Sequence, residues 1–93
     1  MARGICEHRW TDKDDIVALY LSRFRNDLLP MEQIVERLGM SLGAMNGRIG
    51  NHRSLAGNAN WDHASKRTRM IYALHCQKPQ AELRQLALTA LQS

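Results

Sequence analysis

The side chains best suited to contacting another molecule are concentrated between residues 42 and 53. Asn46 and Asn51 each carry a donor and an acceptor on one amide, the pair that can make two hydrogen bonds to the edge of an adenine base. Arginine side chains in the same segment carry a permanent positive charge that suits phosphate oxygens. The glycines and arginines of the segment are Gly43, Gly47, Gly50, Arg48 and Arg53. These residue types at close spacing are typical of a surface that contacts a nucleic acid.

A helix over 42–53 would gather the three glycines on one side and Met45, Ile49 and His52 on the other, at about 100° per residue. His52 is therefore predicted to be a core histidine. Each glycine inside a helix costs about 0.8–1 kcal/mol relative to alanine, so three cost about 2–3 kcal/mol. A helix surface without side chains lets another backbone, a base edge or a phosphate come close. The alternatives are that the glycines accommodate a neighbouring helix or have no role.

The residues before this segment predict a helix and a tight turn. Ile34 and Leu38 recur at helical spacing, and Gly39 can adopt the left-handed conformation that ends a helix. Ser41 can then cap a new helix over 42–53 by accepting from its first free N–H groups. This is a helix-turn-helix arrangement, in which the second helix, the recognition helix, enters the major groove of duplex DNA.

Positive charge is concentrated in the second half of the chain. Residues 1–40 hold six Lys or Arg and seven Asp or Glu, whereas residues 41–78 hold six basic residues and one acid. A basic segment beside a neutral scaffold is what phosphate contact requires, although a solvated face that only keeps the protein soluble has the same composition. Arg48 is expected to contact phosphate or to pair with Glu32 or Glu36 of the preceding helix. The other predicted phosphate contacts are Arg53, Lys66, Arg67 and Arg69.

The first helix is predicted from its cap. Thr11 is a good N-cap residue, and Asp12, Asp14 and Asp15 place negative charge in the first turn, where the helix dipole favours it. The other predicted bounds are an end of the first helix near Arg25, a start of the second at Pro30, a Gly- and Asn-rich break over 54–60, a fourth helix capped by Asn60 or Asp62 and reaching Cys76, and a fifth from Pro79 to about Leu91.

These elements predict an all-α protein, because no stretch alternates apolar and polar residues as a strand would. We expect residues 1–93 to form one domain, with a helix-turn-helix core at 9–53 and a C-terminal helical extension at 61–92. The fifth helix carries an apolar stripe that must be buried, either by folding back on the domain or by pairing with a second copy through residues 79–92. A two-fold dimer would place two recognition helices on a palindromic site. The stripe consists of Leu83, Leu86, Ala87, Ala90 and Leu91.

The sequence gives no support to catalysis or to a bound cofactor. It contains no P-loop, no Gly-x-Ser-x-Gly and no His-Glu-x-x-His, so an enzyme is not expected. The potential metal ligands fit no structural zinc spacing, and no metal is expected; they are Cys6, His8, His52, His63, His75 and Cys76. No apolar stretch is long enough for a membrane span, and two cysteines make no disulfide framework. A cytoplasmic setting and no membrane partner are therefore expected.

Residues 9–53 resemble the tri-helical, homeodomain-like fold in its Myb/SANT-like branch. The resemblance rests on the tryptophan, hydroxyl residue and acidic run of WTDKDD at 10–15, on IVERLG at 34–39 followed by Ser41, and on the Arg48-Ile49 pair. Ile49 stands where that family usually has a tryptophan late in its third helix. The resemblance implies duplex DNA as the partner and transcription regulation as the function. SANT-like relatives also bind proteins, so the alternative is a protein-binding adaptor or a phage- or plasmid-borne inhibitor of a nucleic-acid-processing machine.

Overall fold

The computed structural model describes residues 10–57 and 65–92. Within these ranges the chain forms α-helices and no strand, as the sequence predicted. Three helices are followed by two C-terminal ones, and none of the described helices is both long and apolar enough to cross a membrane. The helices are α1 (Asp12–Arg23), α2 (Met31–Leu38), α3 (Leu42–Ala56), α4 (Lys66–His75) and α5 (Gln80–Gln92).

Three predicted helix ends are confirmed by their hydrogen bonds or dihedral angles. The N–H of Asp14 donates to Thr11 Oγ1 at 3.3 Å, and the N–H of Thr11 donates to the Asp14 carboxylate at 3.0 Å, which makes a reciprocal capping box. Gly39 ends α2 in the left-handed conformation, with φ of +73°. Ser41 Oγ then accepts from the N–H of Ala44 at 3.1 Å and begins α3. The turn between α2 and α3 is therefore the one that the helix-turn-helix prediction needs.

Two other predicted bounds are wrong. Helix α1 ends at Arg23, two residues earlier than expected. Helix α3 continues to Ala56, so the first part of the predicted break over 54–60 is helical. The N–H of Gly57 closes this last turn by donating to the carbonyl of Arg53 at 3.0 Å. Gly57 therefore ends the helix later than the composition of the break indicated, while Asn58 and Asn60 lie outside the described residues.

Helix α4 begins later than predicted. Its N-cap is Ser65, whose Oγ accepts from the N–H of Thr68 at 3.1 Å. The prediction that Asn60 or Asp62 caps this helix is wrong, since α4 starts at Lys66. Asn60 and Asp62 themselves lie outside the described ranges. All three are residue types that cap helices well, so local preference did not distinguish them.

Helix α1 lies at the centre of the fold and packs against α3, α4 and α5. Residues 17–21 are all buried there, and the two C-terminal helices contribute Ile71, Leu83, Ala87, Ala90 and Leu91 to the same core. Helix α2 completes the arrangement by packing on α3 and α5. The C-terminal helices therefore complete the core around α1.

The apolar stripe of α5 is buried by folding back on α1. Leu83 and Ala87 are fully buried, Ala90 and Leu91 are each only 5 % exposed, and Leu86 is partly buried against the same core. Of the two predicted ways to bury this stripe, the structure shows the intramolecular one. The stripe that suggested a homodimer through residues 79–92 is thus already covered within one chain.

Candidate functional site

The glycines of α3 form an open surface, which we call the glycine face and define as Gly43, Gly47 and Gly50. Among the described residues, a Cβ atom placed on Gly47 or Gly50 would meet no atom within 4 Å, and one on Gly43 would meet only Ser41 Oγ at 4.0 Å. No described helix packs on this face, so the alternative in which the glycines accommodate a neighbouring helix finds no support in that part of the chain. The predicted orientation of α3 is confirmed.

The opposite side of α3 is buried, as the periodicity predicted. Met45 and His52 have no exposed surface and Ile49 is 5 % exposed. The three side chains pack into the core beside α1. This burial sets the rotation of α3 about its own axis and leaves its glycines on the outside.

A concave pocket of about 360 Å³ lies along one flank of the glycine face. Trp10 precedes α1 and Ser65 precedes α4, so the beginnings of two helices meet α3 at this point. We call it the glycine pocket; its lining residues are Trp10, Gly43, Ala44, Gly47, Arg48, Asn51 and Ser65. Two of the three glycines and one of the two asparagines singled out from the sequence therefore border one concave surface.

Arg48 is placed differently from the expectation, because its side chain is only 9 % exposed. Its Nη1 donates to Ser65 Oγ at 2.8 Å and also to the hydroxyl of Thr68. Its Nε lies 3.6 Å from Asp15 Oδ1, and its guanidinium carbon lies 3.9 Å from the centre of the Trp10 ring. The guanidinium thus joins α3 to the beginning of α4 from inside the protein.

Neither predicted role of Arg48 describes this arrangement. Its carboxylate partner is Asp15 of α1 and not Glu32 or Glu36 of α2. Burial lowers the pKa of the Arg48 guanidinium, and the negative charge of Asp15 opposes that shift. The physical reason for the difference is the buried carboxylate, which requires a cation beside it. Residue 48 lies at the edge of the buried side of α3, within reach of that carboxylate.

Asp15 is the residue whose importance the sequence analysis missed. Its carboxylate is fully buried, Oδ1 lies 3.1 Å from His52 Nε2, and the same oxygen accepts from the Thr68 hydroxyl at 3.4 Å. His52 is the core histidine that was predicted. A signal was present, since Ala18 and Leu19, three and four residues after Asp15, are both buried on the same helix. That spacing puts Asp15 on the inward stripe of α1, where an acid needs partners.

The remaining predicted phosphate contacts lie on two helices. Arg53 is exposed near the end of α3, and Lys66, Arg67 and Arg69 are exposed in the first half of α4. Arg67 forms an ion pair with the carboxylate of Asp12, and both side chains are solvent-accessible. Such an exposed pair contributes little to stability and can exchange for another anion. Lys66 directly follows Ser65, which brings the basic half of α4 to the rim of the glycine pocket.

The two asparagines flank the glycine face on opposite sides. Asn51 is half-buried and lines the glycine pocket. Asn46 is exposed and lines a different pocket, together with Arg53. The predicted site residues therefore form a strip across the outer surface of α3 with the glycines in its middle, and Arg48 lies beneath that strip.

Metal-ligand residues do not come together in the part of the chain that the structure describes: no three of its His, Cys, Asp or Glu side chains lie where they could hold one ion. Among the potential ligands, His52 is already bonded to Asp15. Cys6, His8 and His63 lie outside the described residues.

Comparison of the chain with protein-family models, with curated proteins and with solved structures gave no match. The resemblance of residues 9–53 to the Myb/SANT-like family therefore rests on the sequence motifs and stays a prediction.

Proposed function

We propose that this protein binds duplex DNA through α3 and acts as a regulator of transcription. The observation that carries the proposal is the open glycine face. Three glycines in one helix cost about 2–3 kcal/mol relative to alanine, a large fraction of the stability of a small domain. No neighbour among the described residues occupies the space that they leave. We infer that the space serves a backbone or base edge from another molecule.

The arrangement of α2 and α3 supports an approach to the major groove. Helix α3 directly follows the turn at Gly39 and is the second helix of the helix-turn-helix arrangement. Among the described residues, no large side chain lies over its glycine face. A helix with such a surface can lie deep in a groove that is about 12 Å wide. Asn46 and Asn51, on the two flanks, can then reach base edges on either side of the helix. Each bidentate pair of this kind gives about 1–3 kcal/mol of discrimination between bases.

The exposed basic residues supply the contacts to phosphate. Arg53 extends from the end of α3, and Lys66, Arg67 and Arg69 extend from α4 beside the glycine pocket. Such contacts position a protein on the duplex without reading its sequence. Arg48 is not part of this set, because its guanidinium is directed inward to Asp15. Its role in the proposal is to hold Ser65, and with it the start of α4, against α3.

The proposal requires one copy of the chain and does not include a homodimer, since the stripe of α5 is used in the core. It implies a compartment that contains DNA, in keeping with the predicted cytoplasmic location. The Myb/SANT-like resemblance of residues 9–53 supports the same function through the third helix.

The experiment that tests the proposal is selection from a random duplex library at near-physiological salt, followed by anisotropy titrations of the selected duplex. Affinity should fall with salt by about 0.9 log unit per log unit of salt for each phosphate neutralised. Lys66→Gln and Arg69→Gln should each reduce that slope by about 1. Lys13→Gln, the same charge change on the exposed first turn of α1, is the control and should leave the slope unchanged. No enrichment of any duplex, or an affinity indifferent to salt, would refute the proposal.

A protein-binding function is the second candidate, and one observation favours it. Met70 is 47 % exposed and Leu74 is 62 % exposed, four residues apart on the outer side of α4. Neighbouring exposed apolar side chains are found where proteins dock on one another. An adaptor or inhibitor of a nucleic-acid-processing machine would use this surface. A pull-down with one stoichiometric protein partner, together with no binding to duplex DNA at low salt, would select this function.

A further inference from the structure

A second pocket of about 360 Å³ lies on the other flank of α3. It is bounded by the end of α1 and the start of α2, and we call it the arginine pocket. Its floor is apolar and its rim is polar, and none of the described residues that line it carries a carboxylate. The floor consists of Leu21, Phe24, Met31 and Ile49, and the rim consists of Arg25, Asn26, Asn46 and Arg53.

The two arginines on this rim differ from the other arginines of residues 10–57 and 65–92. Neither Arg25 nor Arg53 has a side-chain hydrogen bond or an ion pair with any described residue. The other six arginines each have a partner: Arg23 on the Lys78 carbonyl, Arg37 on the Leu91 carbonyl, Arg48 on Asp15, Arg67 on Asp12, Arg84 on Asp27, and Arg69 through a further interaction. The two arginines without a partner among the described residues thus occur together at one pocket.

The asparagines of the rim have different tasks. The Asn26 amide donates to the carbonyl of Leu29 at 2.7 Å and accepts from the N–H of Leu28 at 3.0 Å, so it shapes the turn that forms the wall. Asn46 is exposed, and its side chain makes no hydrogen bond to a described residue. The groups available to an occupant are therefore two guanidinium groups and one amide, above an apolar floor.

We propose that the arginine pocket binds a small organic carboxylate with an apolar chain or ring. A carboxylate matches the planar fork of a guanidinium and can accept from two of them at once. Like charges on one rim repel each other, and a bound anion relieves that repulsion. The apolar part of the ligand would cover Phe24, Met31 and Ile49. A pocket of this volume, with an apolar floor and a few polar groups, is of the kind that holds small ligands.

Occupation of this pocket has a consequence for DNA binding that rests on the proposed function. Asn46 and Arg53 belong both to the arginine pocket and to the strip assigned to DNA. If Arg53 held a carboxylate, its positive charge would no longer be available to a DNA phosphate. The ligand would therefore compete with the duplex, as an effector does. Ligand binding itself is measured without DNA, so failure of either proposal is seen separately.

The test is a titration of the 15N-labelled full chain with hexanoate, monitored by amide chemical shifts at constant ionic strength. Hexanamide has the same chain without the charge, and inorganic phosphate has charge without the chain. We expect saturable shifts at Phe24 and Ile49 with hexanoate only. Arg25→Gln and Arg53→Gln should each weaken binding at least about tenfold, the usual loss for a charge-assisted hydrogen bond. Lys13→Gln, the same charge change at the other end of α1, should not weaken it.

Four results would overturn the proposal. If hexanamide bound as tightly as hexanoate, the arginines would have no role in binding. If phosphate bound as tightly as hexanoate, the apolar floor would have no role. Absence of saturable shifts with hexanoate would remove the site. A short peptide ending in a leucine carboxylate is a further arm. If it bound much more tightly than hexanoate, the pocket would belong to a protein C-terminus and the small-molecule assignment would be wrong.

Discussion

His52 Nε2 lies 3.1 Å from Asp15 Oδ1, and both side chains are fully buried. The contact joins the inward side of α3 to the first turn of α1. Arg48, one turn before His52, approaches the same carboxylate oxygen at 3.6 Å. Since two residues of α3 are held by one carboxylate, the helix cannot rotate without breaking a buried polar contact. The outward orientation of the glycine face follows from this attachment as much as from apolar packing.

Removal of the buried carboxylate should therefore destabilise the protein strongly. Asp15→Asn leaves the Arg48 guanidinium without its ion-pair partner, and we expect a loss of about 3 kcal/mol or more in the free energy of unfolding. Urea denaturation followed by circular dichroism measures it. The control is Asp12→Asn, which breaks the exposed pair with Arg67 and should cost at most about 1 kcal/mol. Equal losses in the two variants would contradict the assignment of Asp15 as the central partner.

A double variant distinguishes the loss of the Asp15–Arg48 ion pair from a general destabilisation of α1. Asp15→Asn combined with Arg48→Met removes both charges, so no buried guanidinium is left without its carboxylate partner. The combined loss should be smaller than the sum of the single losses, by about 1 kcal/mol or more. Additive losses would show that the two side chains act independently.

Gly39, which ends α2, and Gly47, inside α3, should respond to substitution by alanine in opposite ways. Gly47 lies in a helix with open space around it, so Gly47→Ala should stabilise the protein by about 0.8–1 kcal/mol. Gly39 also has open space but has a φ of +73°, so Gly39→Ala should destabilise it by about 1–2 kcal/mol. Thermal melting compares the two directly. A destabilised Gly47→Ala variant would mean that the glycine face is covered within the protein.

The pH dependence of stability should contain a contribution from His75. Burial first, and then the positive charge of Lys78, lower the pKa of this imidazole below its ordinary value of 6.5. The unfolded chain consequently binds the proton before the folded one, and stability is lost as the pH falls below that value. When the pH is lowered from about 7.5 to about 5.5, the melting temperature of the His75→Gln variant should fall less than that of the wild type. Parallel losses in the two proteins would rule out this contribution.

The sequence predicted those parts of the fold that depend on neighbouring residues. Thr11 and Ser41 are caps, Gly39 ends a helix, and the buried side of α3 follows from the spacing of its apolar residues. Each of these signals lies within a few residues of the feature that it predicts. The outward direction of the glycine face followed from the same periodicity.

The features that were missed depend on residues far apart in the chain. Arg48 turned inward because Asp15, on another helix, is buried beside it, and no local pattern indicates that pairing. Ser65 caps α4 and also accepts from Arg48 of α3, a contact between helices that no local pattern indicates. The stripe of α5 was evident in the sequence, but its packing against α1 and not a second chain is a property of the assembled fold.

The most direct test of DNA binding through the glycine face is the affinity of Gly47→Leu for the selected duplex. The added side chain would enter open space and leucine forms helix better than glycine, so the fold should be retained and the melting temperature should not fall. Ala81→Leu, which adds a similar side chain at an exposed position of α5, is the matched control. We predict that Gly47→Leu loses at least about tenfold in affinity while Ala81→Leu binds as the wild type does. Wild-type affinity in a folded Gly47→Leu variant would contradict the account.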